Sequence, residues 1–174
     1  MLKRTKIAAL LASSAPQEQV LLKGWVRTRR DAKDFSFIEV NDGSCLKNMQ
    51  VIANNTLKNY EDIKKLSTGS SVAVTGALTE SKGGSQKFEV VADNIEIYSL
   101  APDDYPLQKK KHSDEYLRTI AHLRPRTNKY GAAFRVRSEL SYAIHKFFHE
   151  RGFRYVHTPI ITGSDCEGAG EMFQ

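Results

Sequence analysis

Five short segments, at about residues 20–30, 34–41, 46–53, 71–80 and 87–98, alternate apolar and polar residues, and this limits the fold more than any other feature. A period of two puts one side of each segment in a core and the other toward solvent, so these are half-buried strands rather than helices. Turn residues punctuate them: Asn41-Asp42-Gly43 joins the second to the third, and Lys82-Gly83-Gly84 joins the fourth to the fifth. Between the third and fourth, Leu57, Tyr60, Ile63 and Leu66 recur every three residues and Thr68-Gly69 follows, which predicts a short helix.

Three strands, a helix and two strands is the order of an OB-fold barrel, expected over residues 1–98 including a short N-terminal helix. That first helix is read from Ile7-Ala-Ala-Leu-Leu-Ala12, stopped near Pro16. With Lys3, Arg4 and Lys6 ahead of it, the segment imitates a signal peptide. Its apolar run of six residues is short of the seven or so an h-region needs, and no segment has the roughly 18 apolar residues of a membrane span. Residues 99–117, with Pro102, Asp103-Asp104, Pro106 and Lys109 to Lys111, read as a linker or hinge. A second domain is expected over 118–174. It starts with a basic stretch, then a helix from about Gly131 to Arg151 capped by Gly152, then a strand over Phe153–Ile161 that contains Pro159. A helix and one strand cannot close a core, so this domain is expected to be incomplete.

Charge narrows the function. Lys and Arg number 26 against 20 Asp and Glu, a net +6. The excess is concentrated, with seven basic residues and one acid over Met1–Arg30 and six and none over Arg118–Arg137, which points to a polyanion as partner. Cys45 and Cys166 have no metal-ligand or disulfide spacing, and a reducing, cytoplasmic setting fits them best. His145 and His149 share a helix face, but a general-base Glu is missing between them, so no metal site is expected.

In the second strand Phe35, Phe37 and Glu39 share one face and Ser36, Ile38 and Val40 the other. If Ile38 and Val40 are core, Phe37 faces outward beside Arg27, Arg29 and Arg30. An aromatic among cations on an OB sheet stacks an unpaired base and holds its phosphates. The opposite parity, with both phenylalanines in the core, is equally compatible with the pattern. The same reasoning puts Phe88 and Val90 inside with Glu89 outside, and Gln50 opposite Met49 and Val51. Gln50 and Glu89 could then read base edges, or be ordinary solvated strand residues. The loop Ser164-Asp-Cys-Glu-Gly-Ala-Gly-Glu171 is polar and glycine-punctuated, a usual place for a small-molecule site.

Three stretches, Gly24-Trp-Val-Arg-Thr-Arg-Arg-Asp31, Phe35-Ser-Phe-Ile-Glu-Val-Asn-Asp-Gly43 and Thr162-Gly-Ser-Asp-Cys-Glu-Gly-Ala-Gly-Glu-Met-Phe173, closely resemble the asparaginyl-tRNA synthetases of bacterial type. The resemblance covers the whole chain. It implies an anticodon-binding OB domain followed by the start of an α+β class II catalytic domain, in which Gly152-Phe-Arg-Tyr-Val-His-Thr-Pro159 resembles motif 1, the dimer-interface element. Phe37, Gln50 and Glu89 match positions that stack on and read anticodon bases, and Arg27 and Arg30 fall among the basic contacts. Glu167 matches a loop glutamate that meets the amino acid's ammonium group, with Ser164 beside it as a second amino-acid-binding candidate.

The resemblance further implies ATP and Mg²⁺ in the parent enzyme, asparagine and tRNA-Asn with anticodon GUU as partners, and a homodimer. Motifs 2 and 3 should lie beyond Gln174, so no catalytic residue is expected within these 174 residues. An aspartyl-tRNA synthetase, or a free-standing OB-fold RNA-binding module without catalysis, are the alternatives. The former usually has Pro-Glu-Gly-Ala-Arg-Asp where this chain has Cys166-Glu-Gly-Ala-Gly-Glu171.

Overall fold

In a computed structural model, which describes residues 2–84, 86–161 and 163, the chain divides into two compact units, Met1–Ala132 and Ala133–Gln174. The first is built on five strands: β1 (Gln17–Asp31), β2 (Phe35–Asn41), β3 (Met49–Asn54), β4 (Ser71–Glu80) and β5 (Phe88–Ser99). They close a barrel in the order β1-β2-β3-β5-β4, with β1 pairing both β2 and β4. All pairs are antiparallel except β3–β5, whose parallel pairing at Val51↔Val90 and Ile52↔Val91 closes the ring and removes the open edges. The expected OB order is therefore present, with each strand within a few residues of its predicted limits.

The inward side chains form one core: Val20, Leu22, Val26, Ile38, Val40, Met49, Val51, Val74, Leu78, Phe88 and Val90 are at most 2% exposed. At one end α2 (Tyr60–Ile63) adds Ile63, followed by Leu66; α1 (Ile7–Leu11) adds Ile7 and Leu10. α1 has no side-chain cap of its own. The β2–β3 loop supplies it instead, since the Ile7 amide donates to Asp42 Oδ2 (3.0 Å) and the Ala8 amide to Ser44 Oγ (3.0 Å). Burial alone would raise the Asp42 pKa. Donation from the Ser44 hydroxyl and amide and from the Ile7 amide, with the charge of Arg4, outweighs it and holds the carboxyl below the ordinary aspartate range.

After β5 the first unit continues with buried Leu107, then α3 (Asp114–Thr119), where the Ser113 hydroxyl accepts from the Tyr116 amide and Leu117 is buried. A 3-10 turn (Arg124–Arg126) leads into α4 (Asn128–Glu150). α4 ends in a glycine cap: the Phe153 amide donates to Phe148 O, the Gly152 amide to His149 O, and Gly152 adopts φ 86°.

The sequence predicts a strand over Phe153–Ile161, yet this stretch carries no regular structure and its apolar side chains are exposed. β-branched composition cannot make a strand without a neighbour to pair with, and among the described residues none lies beside it. Pro159 sits in this irregular stretch.

Candidate nucleic-acid interface

A single extra residue in β1 sets up the outer face of the barrel. From Val20 to Val26 the even-numbered apolar residues point inward, and continued alternation would carry Thr28 and Arg30 inward too. The β1–β2 register shifts between Val26↔Val40 and Thr28↔Glu39, leaving Arg27 as an unpaired bulge residue. Beyond it the parity is reversed. Arg29 now pairs with core-facing Ile38 and turns to the barrel end, where it donates to Ile63 O (3.2 Å) and meets Asp31 (3.4 Å). Arg30 pairs with Phe37 on the outside, with its guanidinium 5.0 Å from the ring centroid.

The parity of β2 is now settled. Ser36, Ile38 and Val40 are buried while Phe35, Phe37 and Glu39 face out. Buried Ser36 is satisfied by donating to Asp31 Oδ1 (2.7 Å) and bonding the Tyr60 hydroxyl (2.9 Å). Phe35 meets Phe37 edge-on at 4.9 Å, which fixes the Phe37 ring as a platform.

Beside that platform runs a polar row, Thr28–Glu39–Gln50, in strand register across three strands. On the far side of Gln50 lies Glu89, which pairs with Thr79. Gln50 Nε2 donates to Glu89 Oε2 (2.8 Å), and the Ser81 hydroxyl donates to the same oxygen (2.9 Å). Glu89 does occupy the outer face, as parity required, but it is only 4% exposed. Of the two alternatives for Glu89, the ordinary solvated strand residue is thus excluded. The parallel neighbour β3 and the turn after β4 bring Gln50 and Ser81 over it, so acceptor and amide are held in one orientation before a ligand arrives. A fixed carboxylate beside a carboxamide can accept from and donate to the edge of an unstacked base.

Phe37, Arg30, Gln50 and Glu89 are therefore brought onto one face. Arg27 is not placed with them: its guanidinium donates to Arg126 O and to Asn128 Oδ1, joining β1 to the segment that leads into α4. Gly152 is the α4 cap. Ser164 and Glu167, the amino-acid-binding candidates, lie outside the described residues, as does Cys166. The periodicity missed two partners, Asn48 and Ser81. Asn48 Nδ2 donates to Glu39 Oε2 (3.1 Å), while its Oδ1 accepts from Asn41 Nδ2 (3.1 Å). Parity alone placed Glu39 on Phe37's face, but nothing local to Asn48 marks it, because it comes from a loop.

Among the described residues no group of three His, Cys, Asp or Glu side chains could hold a metal ion, and His145 packs edge-on against Tyr155 at 4.8 Å.

Comparison with known proteins agrees with this fold. Residues 20–98 match the family of OB-fold nucleic acid binding domains, and residues 113–174 match the class II tRNA synthetases of the D, K and N group. The asparagine–tRNA ligase of Geotalea uraniireducens is 59% identical over 174 residues, covering 100% of this chain and 38% of that protein. That of a Nostoc species is 58% identical over 170 residues, covering 97% and 37%. Among solved structures, asparaginyl-tRNA synthetase from Pyrococcus horikoshii superposes with a TM-score of 0.81 at 25% identity, over 93% of this chain and 39% of that one. The chain thus spans under two fifths of the length of these curated relatives. With an OB barrel matched in its first part, a class II domain in its second and curated asparagine–tRNA ligases aligned along its whole length, the chain is similar to the anticodon-binding-domain and early class II regions of asparaginyl-tRNA synthetases.

Proposed function

We propose that this chain carries the anticodon-reading part of an ATP-dependent asparagine–tRNA ligase, and that Phe37, Arg30, Gln50 and Glu89 form its base-reading surface. The observation that carries the reading is the outward Phe37 platform, covered by Arg30 and flanked by the preset Gln50–Glu89 pair. Each part has a distinct job. The ring stacks one splayed base, the guanidinium is placed for its phosphate, and the amide–carboxylate pair selects the edge of a neighbouring base. Arg27, tied to Arg126 and Asn128, positions the surface rather than touching the stacked base. Ser164 and Glu167 keep the role their resemblance implies, binding the asparagine substrate.

In the parent enzyme the reaction consumes ATP with Mg²⁺, asparagine and tRNA-Asn with anticodon GUU, in the cytoplasm and as a homodimer. A homodimer is supported by α4, which has no buried residue and exposes Val136, Leu140, Ile144 and Phe147 on the helix that leads into residues 152–159, the stretch that resembles the interface element. None of the described residues is assigned to ATP or Mg²⁺. Among the described residues no helix is long and apolar enough to cross a membrane.

The test is a salt-dependent titration of the chain with a stem-loop carrying GUU, with loops altered at the middle base and with Phe37→Ala. Binding that weakens with salt, depends on Phe37 and discriminates the middle base is the expected result. Salt-sensitive binding that ignores both Phe37 and base identity would reduce the domain to a generic basic module.

A further inference from the structure

We propose that the cleft between the outer face of the barrel and residues 105–129 is a second nucleotide subsite. It takes the single-stranded RNA nucleotide next to the one stacked on Phe37, and Glu39 with Asn48 checks its base edge. The inference rests on the reading of the barrel as an anticodon binder, and extends it to a site the resemblance does not assign.

Three observations converge. The first is space: the cleft measures about 690 Å³, within the roughly 300–1,000 Å³ range of ligand pockets, and Arg126 lies over Trp25 (4.6 Å) at one wall. The second is continuity. Thr28, Glu39 and Asn48 line the cleft, and Glu39 is the register partner of Gln50, so the polar row of the reading surface runs directly into it. Glu39 stands two residues from Phe37 on the same face of β2, roughly 7 Å along the strand, a span one splayed nucleotide bridges. The third is charge: exposed Lys109, Lys110 and Lys111 line the same cleft. Of its two acids, Asp114 is neutralised by Lys129, and Glu39 is the other.

The chemistry of the pair follows from how it is held. Asn41 donates to Asn48 Oδ1, which turns Asn48 Nδ2 toward Glu39 Oε2. The cleft therefore shows a carboxylate acceptor beside an amide donor, matching a base edge with an N–H next to a carbonyl or ring nitrogen. Lysines on the facing segment supply the phosphate contacts, which position without reading sequence. A free mononucleotide has the same chemistry. The RNA chain is favoured because the row is continuous with the Phe37 platform.

The test uses the full chain, a fluorescent GUU stem-loop and a set of loops substituted at each position, with thermal unfolding of every variant as a fold control. Lys109→Ala/Lys110→Ala/Lys111→Ala should weaken binding about tenfold or more and flatten the log–log salt slope by about 0.7 for each phosphate no longer neutralised, at unchanged base preference. Glu39→Gln and Asn48→Ala should alter preference at one loop position next to that governed by Phe37, with the salt slope retained. An unchanged salt slope in the lysine variant, or an unchanged preference profile in both pair variants, overturns the subsite while Phe37-dependent binding keeps the anticodon reading standing. Loss of Phe37 dependence in the parent chain sinks the reading and the subsite together. Saturable binding of AMP or UMP that Glu39→Gln abolishes, with loop binding untouched, would make the occupant a free nucleotide and overturn the RNA assignment.

Discussion

Phe37 turns to the outside of β2, partly exposed, with Phe35 at its edge and the Arg30 guanidinium 5.0 Å from its centroid, and on the proposed reading it is the ring that stacks a base. Removing the ring costs the stacking contribution and little of the core. Phe37→Ala should therefore weaken stem-loop binding by about 1–3 kcal/mol while leaving the urea midpoint nearly unmoved, as paired titration and unfolding curves would reveal. Asp42 works in the opposite sense, giving stability and no recognition. Its side chain is 1% exposed and caps α1 from another element. Since its folded pKa is lowered, its stabilisation is fully present above the ordinary value of 3.8 and is lost as pH falls through the lower folded value. Asp42→Asn should cost about 1–3 kcal/mol at neutral pH. The gap between the unfolding free energies of variant and parent should close in acid; a gap constant down to pH 3 would refute the cap. The sequence marked Asp42 only as a turn residue, because its partners Ile7 and Ala8 are remote in the chain.

At the scale of elements, irregularities in the ladders matter as much as the strands. The Arg27 bulge re-aims Arg29 to the barrel end and Arg30 to the face that carries Phe37. Deleting Arg27 removes the extra residue, so that Val26↔Val40 runs straight into Thr28↔Glu39 and Arg30 stays opposite Phe37, while the Arg27 bonds to Arg126 and Asn128 are lost. We expect the deletion chain to unfold at lower urea and to keep Phe37-dependent RNA binding; a deletion variant that unfolds at the parent's urea midpoint would contradict the tie, and one that folds without Phe37-dependent binding would contradict the register. Gly76 is a second such point. A Cβ there would lie 2.0 Å from Val91 O, where β5 carries a bulge opposite Thr75 and Gly76. Gly76→Ala should destabilise the barrel by about 1–3 kcal/mol or more, measured by urea unfolding. The period of two was enough to locate all five strands and the inward set of β3 and early β5, while in β2 it left both parities open. It could not locate the bulges, since an inserted residue looks locally like any other.

For the whole molecule, net charge and coverage decide what the chain can do alone. An excess of six positive charges favours salt-sensitive attraction to any polyanion, yet a charge excess selects no sequence. The chain spans under two fifths of its curated relatives, and the resemblance implies that motifs 2 and 3 lie beyond it. We therefore expect ATP–pyrophosphate exchange with asparagine to be absent from these 174 residues, and a rate above the protein-free blank would refute this. The exposed apolar residues of α4 and of Phe153–Ile161 have the same origin as the missing strand: a helix and an extended segment offer faces that two elements cannot bury between themselves. By itself the sequence determined the barrel, its strand order, the glycine cap at Gly152 and the set of residues that could meet RNA, because alternation, turn chemistry and charge are local properties. Only the tertiary structure decided that Phe37 faces out, that Glu89 is held beneath Gln50 and Ser81, that Arg27 joins β1 to Arg126, and that Glu39 meets Asn48. Those outcomes depend on register, bulges and the parallel β3–β5 closure, which bring together residues far apart in the chain.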